Sequence, residues 1–215
     1  MKLKNYFVLA IAVFTLSACH FRSVKGSGNY NIEKRNIDNF SELELSGAFD
    51  VNLIIDDKTS LEIKAEDNLM KYIKTEVHGN SLSISTKKNL NPKRKIVINI
   101  TTPQLSGVSV SGANDLGVKG LKNEDFFVNL SGAGSVNVEG KTDELQVDIS
   151  GAANLHAKNL IANDVRIDIS GASDADVYAN NSLNATVSGV GNINYYGNPP
   201  KVLHRVSGIG SIKRK

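Results

Sequence analysis

The sequence predicts an all-β fold: one domain coiled as a parallel β-helix, or β-solenoid, with rungs of about 18–20 residues. Two observations carry that expectation. Ser-Gly followed by a small or branched apolar residue recurs at Ser111, Ser131, Ser150, Ser170, Ser188 and Ser207, in steps of 20, 19, 20, 18 and 19 residues. A unit this short cannot enclose a core, so it has to stack on its neighbours. Aligning the copies on the serine then gives columns of one residue type each. Four places on stand Asp115, Ser135, Asn154, Asp174, Asn192 and Ser211, all short, polar and suited to turns. One place further come Leu116, Val136, Leu155, Ala175, Ile193 and Ile212, and two beyond those Val118, Val138, Ala157, Val177 and Tyr195. This is the period-two alternation of a short strand.

A second strand precedes each serine. Phe126, Val128 and Leu130 are followed a rung later by Leu145, Val147 and Ile149, then by Val165, Ile167 and Ile169, then by Leu183, Ala185 and Val187. Between them Asn129, Asp148, Asp168, Thr186 and Arg205 are expected to face solvent. Each rung thus reads strand, Ser-Gly corner, strand, variable polar segment. For the glycine column (Gly112, Gly132, Gly151, Gly171, Gly189, Gly208) the expected cause is a corner that needs positive φ. The polar residues beyond it should form a ladder up one edge at the strand spacing of about 4.8 Å. Neighbouring rungs run in one direction, so the sheets are expected to be parallel with dry inner faces.

The first residues carry a different signal. Met1-Lys2-Leu3-Lys4 is basic, Tyr6 to Phe14 is apolar, and Leu16-Ser17-Ala18-Cys19 follows. That order is a signal peptide over residues 1–18, ending in what resembles a bacterial lipobox at Cys19. Cys19 is the one cysteine of the chain, so no disulfide within a monomer is available. Two or three acyl chains there would make a durable membrane anchor. His20 after the cysteine favours the outer membrane by analogy with enteric sorting. Residues 19–35 read as a tether. The chain holds 25 Lys and Arg against 22 Asp and Glu; without Lys2 and Lys4 the balance is near neutral. A neutral chain with no basic stripe argues against nucleic acid as partner.

The domain is expected over residues 36–212, with 36–105 as less regular first rungs or a cap and 106–212 as the regular repeats. Val51–Ile55, Leu61–Ala65, Leu82–Ser85 and Ile96–Ile100 read as strands, and 68–77 as room for a short helical turn. Ser46-Gly47-Ala48-Phe49-Asp50 matches the later corners, which favours continuity over a separate β domain, and a fragment, Ser106-Gly107-Val108, lies just upstream of the array. Lys87-Lys88 and Lys93-Arg94-Lys95 read as a solvated basic loop that discourages edge pairing.

The segment Phe40 to Val51 (FSELELSGAFDV), the repeated Leu-Ser-Gly-Ala or Ile-Ser-Gly-Ala, and Tyr196-Gly197-Asn198-Pro199 before the final Ser207-Gly208-Ile209-Gly210-Ser211 resemble the putative auto-transporter adhesin, head GIN domain family. The resemblance runs from about Asn36 to Ile212. It implies a parallel β-helix in an envelope protein or lipoprotein, and it implies no catalytic or ligand residues.

The residues themselves offer little chemistry. Six equivalent serines without a recurring histidine are not nucleophiles. His20, His78, His156 and His204 lack ligand spacing, so no metal or cofactor is expected. Asp148 and Asp168, equivalent on successive rungs, are candidates for a ligand surface, as are Tyr178 and Tyr196, whose rings could stack on sugars. The expected function is a non-catalytic binding or adhesion module of the envelope, with a glycan or protein as ligand. A periplasm-facing scaffold that self-associates is the alternative, and a carbohydrate-active enzyme the third reading. A bare terminal strand would favour self-association, against which Lys213-Arg214-Lys215 places three charges.

Overall fold

A computed structural model describes residues 23–215, so the expected signal peptide and Cys19 lie outside the described residues. In chain order the elements are β1 (Val24–Lys25), β2 (Tyr30–Arg35), β3 (Glu42–Gly47), β4 (Asp50–Ile55), β5 (Ser60–Glu66), α1 (Asp67–Met70), β6 (Ile73–His78), β7 (Ser81–Thr86), β8 (Leu90–Asn91) and β9 (Val97–Thr102). The repeats follow as β10 (Gly107–Leu130), β11 (Ala133–Ile149), β12 (Ala152–Ile169), β13 (Ala175–Val187), β14 (Val190–Tyr196), β15 (Lys201–Val206) and β16 (Ile209–Arg214). They build a β-solenoid of about 5 turns.

From β10 onward every pairing is parallel and steps by one repeat: Ala113 lies beside Ala133, and Ala133 beside Ala152. The aligned apolar columns face inward. Leu116, Val136, Leu155, Ala175 and Ile193 are buried, as are Val128, Val147, Ile167 and Ala185 on the opposite wall. Because one face of each strand from β10 to β14 is buried, a one-residue slip would turn the whole column outward, and this fixes the register.

The irregular half joins the same coil out of sequence order. Ser46 sits directly beneath Ser111 with β3 parallel to β10, while β4 lies under residues 115–119 of β10. The next rung down is β7 and β9, parallel to β3 and β4. Residues 42–55 are therefore sandwiched between 81–102 and 107–119. Below that level the direction reverses. β5 runs antiparallel to β9, β2 to β5 and β6 to β7, closing the coil at this end. Ser106-Gly107 is no corner: Gly107 opens β10 opposite Glu42, and a Cβ there would strike the Phe127 ring. Of 68–77 only the first three residues are helical, as the end of α1, and from Ile73 on the segment belongs to β6.

The glycine column has a different cause from the expected one. Only Gly112 has positive φ, at 80°. The others are required by close approach. Ala152, Ala172, Val190 and Ile209 donate their N–H groups to the carbonyls of Gly132, Gly151, Gly171 and Gly189, at 2.9–3.0 Å. These bonds draw each glycine Cα onto the glycine carbonyl of the rung beneath, where a Cβ would overlap the oxygen. The serine hydroxyls reinforce the same step: Ser111 Oγ donates to the Leu45 carbonyl at 3.1 Å and Ser188 Oγ to that of Ile169 at 3.3 Å.

The described part of the expected tether, residues 23–35, is paired with the domain. β1 pairs with β8 and β2 with β5, so the chain is engaged from Val24 on. The fastening is polar and was hidden in the sequence. The Glu66 carboxylate, 1% exposed, accepts from the Gly28 N–H at 2.6 Å and the Lys93 N–H at 2.9 Å. Asn68 accepts from the Ser27 N–H at 2.9 Å and donates to the Lys25 carbonyl at 2.8 Å. Asp67 accepts from the Ser27 hydroxyl, and that bond holds its carboxyl below the ordinary aspartate value. With the folded value the lower of the two, this stabilisation is present above the unfolded aspartate value. It is lost as pH falls through the folded one.

Three outcomes follow from this packing. Gly151→Ala has to displace backbone, and should cost about 1–3 kcal/mol in urea denaturation. Glu66→Gln turns one acceptor into a donor facing an N–H, a loss of about 1–3 kcal/mol. In limited proteolysis Glu66→Gln should open cleavage near residues 23–29 before the rungs are cut, and wild-type protein should show the same early cleavage as pH falls through the lowered Asp67 value.

Candidate functional site

Ten strands, in the order β16-β14-β13-β12-β11-β10-β4-β9-β5-β2, form one continuous front sheet about 43 Å long. Along its outer face the predicted ladder is bonded at most of its steps. Ser135 Oγ donates to Asp115 at 3.2 Å, Asn154 Oδ1 accepts from the Asp174 N–H at 3.3 Å, and Asn192 Nδ2 donates to Asp174 at 3.0 Å. Ser211 Oγ then donates to Asn192 at 2.8 Å. At the lower end Lys95 Nζ reaches Asp50 at 2.9 Å and Asp115 at 3.7 Å, and the bond to Asp50 raises the Lys95 pKa. That ammonium is thus shared by two stacked carboxylates on adjacent rungs.

Two residues along each strand runs a second outward column: Lys34, Glu62, Asn99, Asn52, Gly117, Asn137, His156, Asp176, Asn194 and Lys213, all in register. Asn52 Nδ2 donates to Asn99 Oδ1 at 3.1 Å, and Asn99 Nδ2 to Glu62 at 3.3 Å. Higher up, Asn194 Nδ2 donates to Asp176 at 3.0 Å. This column was missed in the sequence. Its upper half could have been found two places beyond the ladder residues, but its lower half comes from rungs stacked out of order.

The back wall carries the aspartate row. Asn129, Asp148, Asp168, Thr186 and Arg205 are in register beside a depression of about 330 Å³ that runs along the Ser-Gly corners. Each aspartate has a partner on its own strand: Gln146 donates to Asp148 at 3.3 Å and Arg166 to Asp168 at 3.2 Å. Among the described residues no group of three or more His, Cys, Asp or Glu could hold a metal ion. Tyr178 and Tyr196 are also in register at the edge of the front sheet. Lys158 Nζ lies 4.5 Å from the Tyr196 ring centre, covering one face of it by cation–π attraction. Tyr195 packs on the core instead.

The basic loop is put to structural use. Lys93 Nζ donates to the Ser27 carbonyl at 3.1 Å, and Arg94 and Lys88 lie over the Tyr30 and Tyr72 rings at 5.3 and 5.0 Å. His156 is 3.5 Å from Asp176 and His78 3.4 Å from Glu76. At the far end β15 and β16 present Leu203 and Ile209 at 70% and 76% exposure.

Known proteins place this arrangement. The family model described as putative auto-transporter adhesin, head GIN domain, matches residues 39–199. The chain belongs to that family. Among solved structures it is similar to an adhesin of Bacteroides fragilis, described as putative, at 26% identity and a TM-score of 0.76, covering 90% of this chain and 100% of that one. It is also similar to a putative adhesin from Parabacteroides merdae (22% identity, TM-score 0.58, 90% and 99% covered). A putative lipid binding protein from Parabacteroides distasonis shares the fold at 19% identity and a TM-score of 0.55, with 90% and 100% covered. No curated protein matches the chain.

The ladder bonds predict a graded response. Asp174→Ala removes the acceptor for both the Asn192 N–H and its side-chain amide, and should lower stability by about 0.5–1.5 kcal/mol. Asp174→Asn, which keeps an oxygen in place, should lose less. Thermal denaturation of the two variants checks the ordering.

Proposed function

We propose that the protein is a non-catalytic binding or adhesion module of the cell envelope, carried by lipid on Cys19 at the outer membrane. The observation that carries this reading is the front sheet: a long, continuous outer face of mostly short polar side chains over an apolar core. Membership of a family described as adhesin-like supports it, as does the similarity to the Bacteroides fragilis adhesin. Catalysis finds little support in the site. Asp148 and Asp168 are each bonded within their own strand, to Gln146 and Arg166. A near-neutral chain fits a glycan or protein ligand better than nucleic acid.

A second reading, a scaffold that associates end to end, is favoured by the exposed Leu203 and Ile209 on β15 and β16. Concentration-dependent association of the purified protein, abolished by Leu203→Lys with Ile209→Lys, would support it.

The primary test combines lipid labelling with protease shaving. Labelled palmitate should enter the wild-type protein and not Cys19→Ser. Protease added to intact cells should digest the solenoid. Protection until the outer membrane is opened would sink the adhesin reading and leave the periplasmic scaffold.

A further inference from the structure

The outer column of the front sheet has one vacancy that the fold does not require. Gly117 stands between Asn52 and Asn137, in register with both. It lacks positive φ, and the nearest atom to a Cβ built on it is the Val51 carbonyl oxygen at 3.9 Å. The corner glycines are fixed by backbone collision; this one has room for a side chain and carries none. Glycine inside a strand costs roughly 0.5–1 kcal/mol relative to alanine, so nothing in the packing accounts for it.

Its absence of a side chain makes a depression of about 370 Å³, floored by Gly117 and rimmed by Asn52, Asn137, Asp50, Asp115 and Lys95. Two strand spacings, about 10 Å, separate the flanking asparagines. Asn52 also lines the neighbouring concavity of about 580 Å³ over β4, β9 and β5, in which Ile54 is 48% exposed. The two depressions thus share a wall and follow one another up the sheet.

We propose that this trough binds a short stretch of neutral linear glycan, one ring seated over Gly117 and the next passing Asn52 toward Ile54. Resting on the reading of the protein as a binding module, this assigns its site and ligand class. Carboxamides both donate and accept, which suits vicinal hydroxyls. A bare glycine backbone lets a flat ring lie close, and the exposed isoleucine offers an apolar surface to a ring face. The carboxylates of Asp50 and Asp115 have Lys95 between them, so there is no excess cation to hold an anionic polysaccharide.

The test is an NMR titration of the full chain with cellohexaose, chitohexaose, xylohexaose and mannohexaose. Saturable shifts at Asn52, Gly117 and Asn137 with at least one of them are expected. Gly117→Asn, which restores the residue type of the column, should melt within a few degrees of wild type and bind about tenfold more weakly or worse. Asn52→Ala with Asn137→Ala, both exposed, should do the same. No shift at these positions with any of the four, or unchanged affinity in both variants, would overturn the proposal. The envelope reading stands or falls separately, on palmitate labelling and shaving.

Discussion

The stacking of one glycine on the carbonyl of the glycine below is the contact on which the rest of the molecule depends. Each rung has to bring its corner within backbone contact of the last, because the ladder bond from the following residue ends on that carbonyl. A side chain at the corner would lift the rungs apart on one side. The inner columns of leucine, isoleucine, valine and alanine would then lose the close packing that makes their burial favourable. Stability is therefore shared between neighbours and not held by any one rung, as expected for a quasi-one-dimensional fold.

This arrangement also determines what the protein can offer to a ligand. Inward positions are committed to the core and corner positions to stacking. Chemical variety is left to the outward columns, which repeat at the strand spacing. The front sheet carries them without interruption from the repeats into the cap, because 42–55 and 81–102 share the parallel register of the later rungs. The polar ladder on that face is mostly bonded to itself, so the places open to a ligand are those where the column is broken.

Much of this was legible in the sequence, and the reasons for what was not are physical. The period, the Ser-Gly corner and the inward columns could be read because each rung repeats the same local demand. The reason for the glycines could not, since carbonyl approach between rungs is a contact between residues about twenty apart, whereas positive φ is a local property. Nor could the place of Ser46: pairing with Ser111 spans the whole cap, and nothing local favours one neighbour over another. β2 and β6, edge strands of mixed polar and charged residues, show weak alternation because neither lies within a stack. Glu66 looks like any surface glutamate until Gly28 and Lys93 fold over it. Of the candidate surfaces, the Asp148–Asp168 and Tyr178–Tyr196 adjacencies were visible from the period. The Asn99–Asn52–Gly117–Asn137 run was not, because its members come from rungs stacked out of chain order.

Out-of-order stacking of the first corner ties the cap, the front sheet and the glycine column together, and one measurement addresses it directly. Nuclear Overhauser contacts between backbone protons should place Ser46 next to both Ser85 and Ser111, with no direct contact between those two. Finding Ser111 beside Ser85, with residues 42–55 outside them, would mean that the rungs follow sequence order. The continuous front sheet described above would then not exist.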